Sequence, residues 1–200
     1  MKTRLIHKFV SFPKIYDLIQ DIAGAKQIRY WISSHPAFEI RSGWILDVGG
    51  GTGLNGHLFQ DTSKYICLDI DKIMVYRYKG KFSDGTGIIG DACKIPLEDC
   101  IVDTVIFTGV SHHIPDEKLD SVFDECKRVL KNTGIFIFVD ATWSDRNIIR
   151  KILWKYDRGS YPRSENYLES SLSKHFNIKI WEKLAIYHQY ILCFGSKQTH

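Results

Sequence analysis

Between residues 44 and 139, short apolar runs alternate with helical patterns, and few folds accommodate this arrangement. The runs are rich in Ile, Val and Phe and are apolar on both faces, as are parallel strands that helices cover on both sides. In chain order they read WILDV, YICLDI, TGIIG, DTVIFT and IFIFV. Because strand–helix alternation builds βαβ units with right-handed crossovers, the sequence predicts an α/β fold with a doubly wound sheet.

The clearest helix of this region is predicted over residues 115–131, PDEKLDSVFDECKRVLK. Acidic residues at its start and basic residues at its end suit the helix dipole, and Asn132 and Gly134 are expected to stop it. Its apolar side chains form one stripe at helical spacing: Leu119, Val122, Phe123, Cys126, Val129 and Leu130.

The regions on either side of this core have different patterns. Residues 1–42 carry apolar and aromatic helical faces, so they are predicted to form a helical cover for the core over residues 43–140. A helical insertion, which could form a lid over a bound molecule, is expected over residues 141–175. A terminal β-hairpin is predicted over residues 176–197, because two β-rich runs there are separated by a short connection. The whole chain is expected to form one domain.

Composition and charge exclude several classes of protein. The formal charge of +4, from 27 basic and 23 acidic side chains, is too small by itself to indicate nucleic-acid binding, which is therefore not predicted. The five cysteines are scattered, odd in number and never spaced C-x-x-C, which favours free thiols over a disulfide framework or a zinc site. His7, Lys8 and Pro13 interrupt the apolar character of the N-terminal segment, and no run approaches the roughly 18 residues of a membrane span. A cytoplasmic protein is predicted.

A glycine-rich segment, ILDVGGGTGLNG over residues 45–56, follows the first apolar run and fits two patterns. From Asp47 it spells D-x-G-x-G-x-G, as in loops that bind S-adenosylmethionine (SAM). From Gly51 it spells G-x-G-x-x-G, the fingerprint of dinucleotide binding. Either loop lets backbone N–H groups approach a ligand where no Cβ intervenes, although glycines also serve bare turns and close packing.

Three carboxylates near this loop indicate a nucleoside ligand, and two of them, Asp47 and Asp91, favour SAM over a dinucleotide. Asp69, at the end of the second run, can accept hydrogen bonds from ribose hydroxyls of either cofactor. Asp47 would repel a pyrophosphate but attract the ammonium group of SAM. Asp91, after the third run, could accept a hydrogen bond from the adenine amino group. None of the ten tyrosines has a lysine four positions later, so the Tyr-x-x-x-Lys pair of short-chain dehydrogenases is absent.

Four segments in this order and spacing resemble class I SAM-dependent methyltransferases of the broad type 11 group: ILDVGGGTG, CLDID, GDACKIPLEDCIVDTVIFTGVSHHIPD and CKRVLKNTGIFIFVD. The resemblance covers about residues 43–140. It implies a seven-stranded Rossmann-like sheet of order 3-2-1-4-5-7-6 with strand 7 antiparallel and helices on both faces. One mild departure is Gly50, where many relatives have cysteine.

The resemblance also implies a role for each part of the cofactor site. Backbone around the glycines would meet the methionine moiety, Asp69 the ribose, and the segment after the third strand the adenine. The end of the fourth strand would lie near the carboxypropyl group. The cofactor-binding residues expected in this way are Asp47, Gly49, Gly51, Gly53, Asp69, Ile70, Asp91, Ala92, Thr108, Gly109 and Val110.

Two adjacent histidines, His112 and His113, follow the fourth strand at the edge of the sheet where ligands bind. Histidine suits a general base near neutral pH, so these two are the candidate catalytic residues. The alternative is that the pair is a common loop element of the family that packs against the cofactor or shapes the pocket.

Basic and aromatic side chains are concentrated in residues 143–163, WSDRNIIRKILWKYDRGSYPR. Arg158 and Arg163 could grip a carboxylate or phosphate of an acceptor, and Tyr16 of the N-terminal region is a further candidate acceptor-binding residue. The same segment could instead form a membrane-surface helix that delivers a lipid. A third possibility is an insertion helix that packs on the sheet with a solvated basic face.

These observations predict an enzyme that transfers a methyl group from SAM to a small-molecule or lipid- or sugar-linked acceptor, leaving S-adenosylhomocysteine. Methyl transfer is an in-line displacement that depends mainly on positioning. An NAD(P)-dependent oxidoreductase and a non-catalytic SAM-binding module are the alternatives. No histidine pair has the spacing of metal ligands, so no metal is expected, and the protein is expected to be a monomer or homodimer.

Overall fold

The computed structural model describes residues 24–38, 43–143, 161–186 and 188–198. The chain divides into two compact units, residues 1–38 and residues 39–200. Within the first unit, helix α1 spans Ala25–Ser34 and begins after Gly24, which has a left-handed backbone (φ 101°). This helix lies in the region where the sequence predicts helices.

The second unit contains one seven-stranded sheet of order β3-β2-β1-β4-β5-β7-β6. The strands are β1 Ile45–Val48, β2 Tyr65–Asp69, β3 Thr86–Ile89, β4 Val102–Thr108, β5 Leu130–Thr142, β6 Phe176–Ala185 and β7 Gln189–Lys197. Strands β1 to β5 pair in parallel, whereas β7 is antiparallel to both β5 and β6. The predicted strand order and the antiparallel terminal hairpin are confirmed.

Three α-helices and two short 3₁₀ helices complete the described part of this unit. The α-helices are α2 Lys72–Lys81, α3 Asp116–Val129 and α4 Glu165–His175, and the 3₁₀ helices are Leu54–Leu58 and Ser111–His113. Asp71 caps α2 by accepting a hydrogen bond from the Ile73 amide, and Ser164 caps α4 in the same way.

The predicted apolar stripe of α3 is buried against the sheet, and Phe123 lies at the centre of the aromatic core. Its ring meets four others edge-on, with interplanar angles of 74–89°. The four are Phe107, Phe136, Phe138 and Phe176. This cluster joins α3 to β4, β5 and β6, so it anchors the strands whose ends carry candidate site residues.

Helix α3 is shorter than the sequence predicts. It ends at Val129, and Leu130 is already extended (φ −71°, ψ 134°) and pairs with Val102 of β4. The Leu130 side chain lies over Gly134, where a Cβ would come within 2.5 Å of it. The stop signals at Asn132 and Gly134 therefore fall within β5, because strand pairing overrides local helix propensity.

The helix expected directly after the glycine-rich segment is only the 3₁₀ helix Leu54–Leu58. Gly56 lies inside it, but a Cβ there would meet the Phe82 ring at 3.1 Å. The close neighbour of Gly56 is therefore an aromatic side chain that follows α2.

Replacement of Gly80 by alanine is expected to stabilise the protein. Gly80 lies within α2, and a Cβ there would meet no atom within 4 Å. Since alanine loses less backbone entropy in a helix, the free energy of unfolding should rise by about 0.5–1 kcal/mol. Urea denaturation measures this change, and a fall in stability would mean that α2 is not helical at this position.

Candidate active site

The segment after β1 is held against β2 by backbone hydrogen bonds. The amides of Gly49 and Gly50 both donate to the Leu68 carbonyl, at 2.8 and 3.1 Å. The Gly51 amide donates to the Asp69 carboxylate at 2.9 Å. Because these strands are parallel, their carboxyl ends lie at one edge of the sheet, where ligands bind in open α/β folds.

Three glycines of this segment have left-handed backbones: φ is 68° at Gly49, 56° at Gly51 and 76° at Gly53. A Cβ at Gly49 would lie 2.6 Å from a methyl carbon of Val110, which follows β4. The glycines therefore permit a sharp turn and a close approach to the end of β4, two requirements that other residues do not meet.

Asp47 lies beneath this turn and is buried. The Tyr65 hydroxyl and the Asn55 side-chain amide donate to its carboxylate, and the same Asn55 amide donates to the Thr108 hydroxyl at 2.8 Å. Burial raises the pKa of Asp47 to about 7, although the hydrogen bonds from Tyr65 and Asn55 oppose this rise. Asp47 and Thr108, both predicted cofactor residues, thus share one polar partner.

Asp69 ends β2 and is half-buried. One of its carboxylate oxygens accepts from the Gly51 amide and the other from the Asp71 amide. Burial raises its pKa and outweighs these hydrogen bonds. Each oxygen keeps a second lone pair, and the neighbouring Ile70 side chain is 74% exposed. A hydrogen-bond acceptor and an exposed apolar surface therefore lie side by side.

Asp91 and Ala92 follow β3, whose last residue Ile89 pairs with Asp69. The exposed Asp91 carboxylate accepts a hydrogen bond from the Cys93 amide at 2.9 Å, and this bond lowers its pKa. Ala92 is half-buried against the apolar core. The structure thus brings residues from the ends of β1, β2, β3 and β4 to a single edge of the sheet.

His112 lies at the same edge, beside the end of β5. Its Nδ1 atom is 2.6 Å from the Asp140 carboxylate, and both residues are buried. The other Asp140 oxygen accepts from the Ser111 hydroxyl at 2.5 Å. His113 is exposed, with its ring centre 4.2 Å from that of His112. The two candidate histidines therefore have different surroundings.

Asp140 was not singled out from the sequence as a site residue. It follows the apolar run IFIFV in the same way that Asp69 follows YICL. An acidic residue at the carboxyl end of a parallel strand is the signal that could have identified it.

The sequence predicts that Arg163 grips an acceptor, but its guanidinium is buried among other partners. It donates to the carbonyls of Ser111 and Ile114, both at 2.6 Å, and forms an ion pair with Asp116. It also lies over the Tyr167 ring, 5.6 Å from the ring centre. The prediction for Arg163 is therefore corrected: this side chain stabilises the segment that carries the two histidines.

The other two predicted acceptor residues, Tyr16 and Arg158, lie outside the described residues, as do residues 144–160 of the predicted insertion. The Tyr161 amide donates to the His112 carbonyl at 3.0 Å, so Tyr161 lies beside the candidate base.

The sheet order, the left-handed glycine turn after β1 and the acidic residue ending β2 together define the class I methyltransferase fold. A family model described as a methyltransferase domain matches residues 46–138. The fold and this match make the chain similar to class I SAM-dependent methyltransferases over residues 46–138.

Relatives agree with this assignment. The malonyl-[acyl-carrier protein] O-methyltransferase of Geobacter sulfurreducens is 29% identical over 133 residues, which cover 62% of this chain and 49% of that protein. The chain spans about half the length of the curated relatives it matches.

Solved structures share the fold. A Haloferax volcanii methyltransferase, in complex with the Trm112 methyltransferase activator, superposes with a TM-score of 0.79 at 15% identity, covering 95% of this chain and 96% of that one. Geranyl diphosphate C-methyltransferase of Streptomyces coelicolor, in complex with S-adenosyl-L-homocysteine, gives 0.71 at 9% identity, covering 86% and 76%. Within the ranges that the structure describes, no helix is long and apolar enough to cross a membrane.

Proposed function

We propose that this protein transfers a methyl group from SAM to a small-molecule or lipid- or sugar-linked acceptor. The observation that carries the proposal is the pair of carboxylates, Asp47 and Asp69, on either side of the left-handed glycine turn. SAM supplies a methyl group activated by a sulfonium centre, so the protein has mainly to bind and align the reactants.

The two carboxylates favour SAM over a dinucleotide. A buried carboxylate beneath the turn attracts the ammonium group of the methionine moiety and repels a pyrophosphate. Asp69 accepts hydrogen bonds from the ribose hydroxyls, and Ile70 offers an apolar surface to the adenine ring. Asp91 and Ala92 flank the adenine, while Thr108, Gly109 and Val110 lie along the carboxypropyl chain.

A base is needed only where the acceptor loses a proton as it is methylated. His112 and His113 are the proposed candidates, and His112 has the partner that a base requires, because Asp140 contacts its ring. The names of the two similar proteins above specify an oxygen and a carbon acceptor. The proposal therefore names the class of acceptor molecule and leaves the methylated atom open.

Replacement of Asp69 by alanine is expected to weaken SAM binding. Loss of hydrogen bonds to a charged acceptor should cost about 1–3 kcal/mol, or roughly 5- to 150-fold in Kd. Isothermal titration calorimetry with SAM and S-adenosylhomocysteine measures the change.

Asp71→Asn is the matched control. It removes a charge two residues away and keeps the cap of α2, since asparagine caps helices as well as aspartate does. Its affinity for SAM should stay within about twofold of wild type. Unchanged binding in Asp69→Ala would contradict the proposed role of Asp69.

Thermal melting with each cofactor distinguishes a SAM-dependent methyltransferase from an NAD-dependent oxidoreductase. A ligand at 100 times its Kd adds about 2.7 kcal/mol to the stability of the folded state. SAM and S-adenosylhomocysteine are expected to raise the Tm, and NAD to leave it unchanged. Stabilisation by NAD alone would overturn the proposed function.

A further inference from the structure

We propose that Asp140 is a positioning residue that holds the His112 ring with its Nδ1 proton directed at the carboxylate, so that Nε2 is the nitrogen that accepts a proton during methyl transfer. This inference rests on the proposed function and deepens it. The contact joins residues 28 positions apart, one at the end of β5 and one in the turn after β4. The two side chains approach to 2.6 Å and are 1% and 10% exposed.

Three donors hold the Asp140 side chain, in addition to its contact with the His112 ring. Besides the His112 ring, the Ser111 hydroxyl and the amides of His112 and Ala141 donate to it, at 2.5, 3.3 and 2.7 Å. Burial by itself raises the pKa of Asp140, but the charge of His112 and these hydrogen bonds outweigh it and lower the pKa. The group is therefore a carboxylate.

An ionised carboxylate only accepts hydrogen bonds, so the ring atom that faces it must carry a proton. In the neutral ring the proton then lies on Nδ1 and the lone pair on Nε2, because the partner of one ring nitrogen sets the state of the other. This tautomer follows from the buried ion and requires no assumption about the acceptor.

The surroundings of the pair are also ordered. The Arg163 guanidinium donates to the Ser111 and Ile114 carbonyls, on either side of His112, and is ion-paired with Asp116. His113 is a further titratable ring close by, with its centre 4.2 Å from that of His112. The turn that carries His112 is thus held by Asp140 on one side and Arg163 on the other.

A hydroxyl acceptor gives a balanced reaction with this arrangement. The acceptor oxygen bonds to the methyl carbon while the carbon–sulfur bond breaks and its electron pair passes to sulfur. The hydroxyl proton moves to Nε2 of His112, and the resulting imidazolium is stabilised by the Asp140 carboxylate. Release of that proton to water restores the neutral ring.

Nuclear magnetic resonance of ¹⁵N-histidine-labelled protein tests the proposal without an acceptor. His112→Gln identifies the signals of His112. In the wild type, the neutral His112 ring is expected to carry its proton on Nδ1. In Asp140→Asn, the ring should take up its second proton at a lower pH, since a carboxylate that favours the imidazolium is gone, and the Nδ1 tautomer should lose its preference.

A second histidine–carboxylate pair provides the control. Nδ1 of His175 lies 3.0 Å from Asp124, between α3 and α4. Asp124→Asn should change the signals of His175 and leave those of His112 unchanged, whereas Asp140→Asn should do the reverse.

A wild-type His112 ring protonated on Nε2 in its neutral form would overturn the proposal, and this measurement does not depend on the folding of Asp140→Asn. So would a tautomer and a titration midpoint that do not change in Asp140→Asn. SAM binding by the wild type distinguishes this failure from that of the proposed function. A wild type that binds no SAM would defeat the proposed function and leave the ring measurement valid.

Discussion

Replacement of Gly53 by alanine is expected to destabilise the protein by about 2–5 kcal/mol, the sum of backbone strain and overpacking. The residue has φ 76°, and a Cβ would lie 2.3 Å from Cδ2 of the Tyr78 ring. That ring cannot move easily, because it is buried, its hydroxyl donates to the Tyr65 carbonyl, and it stacks on Phe82 at 5.4 Å. The added methyl group must therefore displace packed atoms.

Urea denaturation of Gly53→Ala and Gly109→Ala separates the two causes. Gly109 has a similar backbone (φ 66°), but a Cβ there would meet no atom within 4 Å. Gly109→Ala should therefore report strain alone, about 1–2 kcal/mol. Equal losses in the two variants would show that the contact with Tyr78 has no cost.

Replacement of Asp47 by asparagine is expected to stabilise the protein without ligand above neutral pH and to weaken SAM binding. The pKa of Asp47 rises from 3.8 to about 7 on folding because the carboxylate is buried. Between these values the folded state binds a proton that the unfolded chain has released, so stability falls as the pH rises and levels off above about 7. At about 1.4 kcal/mol per pKa unit, this loss amounts to about 4 kcal/mol at most.

Asparagine cannot ionise, so the variant should lack this pH dependence. It should resemble the wild type at about pH 4 and be more stable at about pH 8 by up to about 4 kcal/mol. Its SAM affinity at pH 8 should fall by about 1.5–3 kcal/mol, because a charged hydrogen-bond partner of the ammonium group is lost.

Urea unfolding at several pH values and calorimetry at pH 8 measure these opposite effects. Asp84→Asn is the control, since this carboxylate is exposed and should change neither quantity. A wild-type stability that rises between pH 4 and 7 relative to Asp47→Asn would contradict the burial argument.

Much of the fold was predictable because it follows from local periodicity. Apolar runs marked β1 to β5, and the stripe of α3 was identified in full, except that Leu130 belongs to β5. That error arose where pairing with Val102 competed with helix propensity. The strand order came from the resemblance to a family, since periodicity alone does not order strands in a sheet.

The residues proposed to bind the cofactor could also be identified from the sequence. Glycines and carboxylates at the ends of apolar runs reach one edge in any parallel sheet, so Gly51 and Asp69 could be placed together before their contact was known. The acceptor side was not accessible in this way. Arg163 was assigned to an acceptor because its charge was visible and its burial was not.

The chain sequence therefore defines the sheet, the glycine turn and the carboxylates around it, because each depends on short-range patterns and on the geometry shared by parallel strands. Long-range folding alone pairs Asp140 with His112 and encloses Arg163. Those contacts join residues 28 and 52 positions apart, and side-chain packing sets their distances.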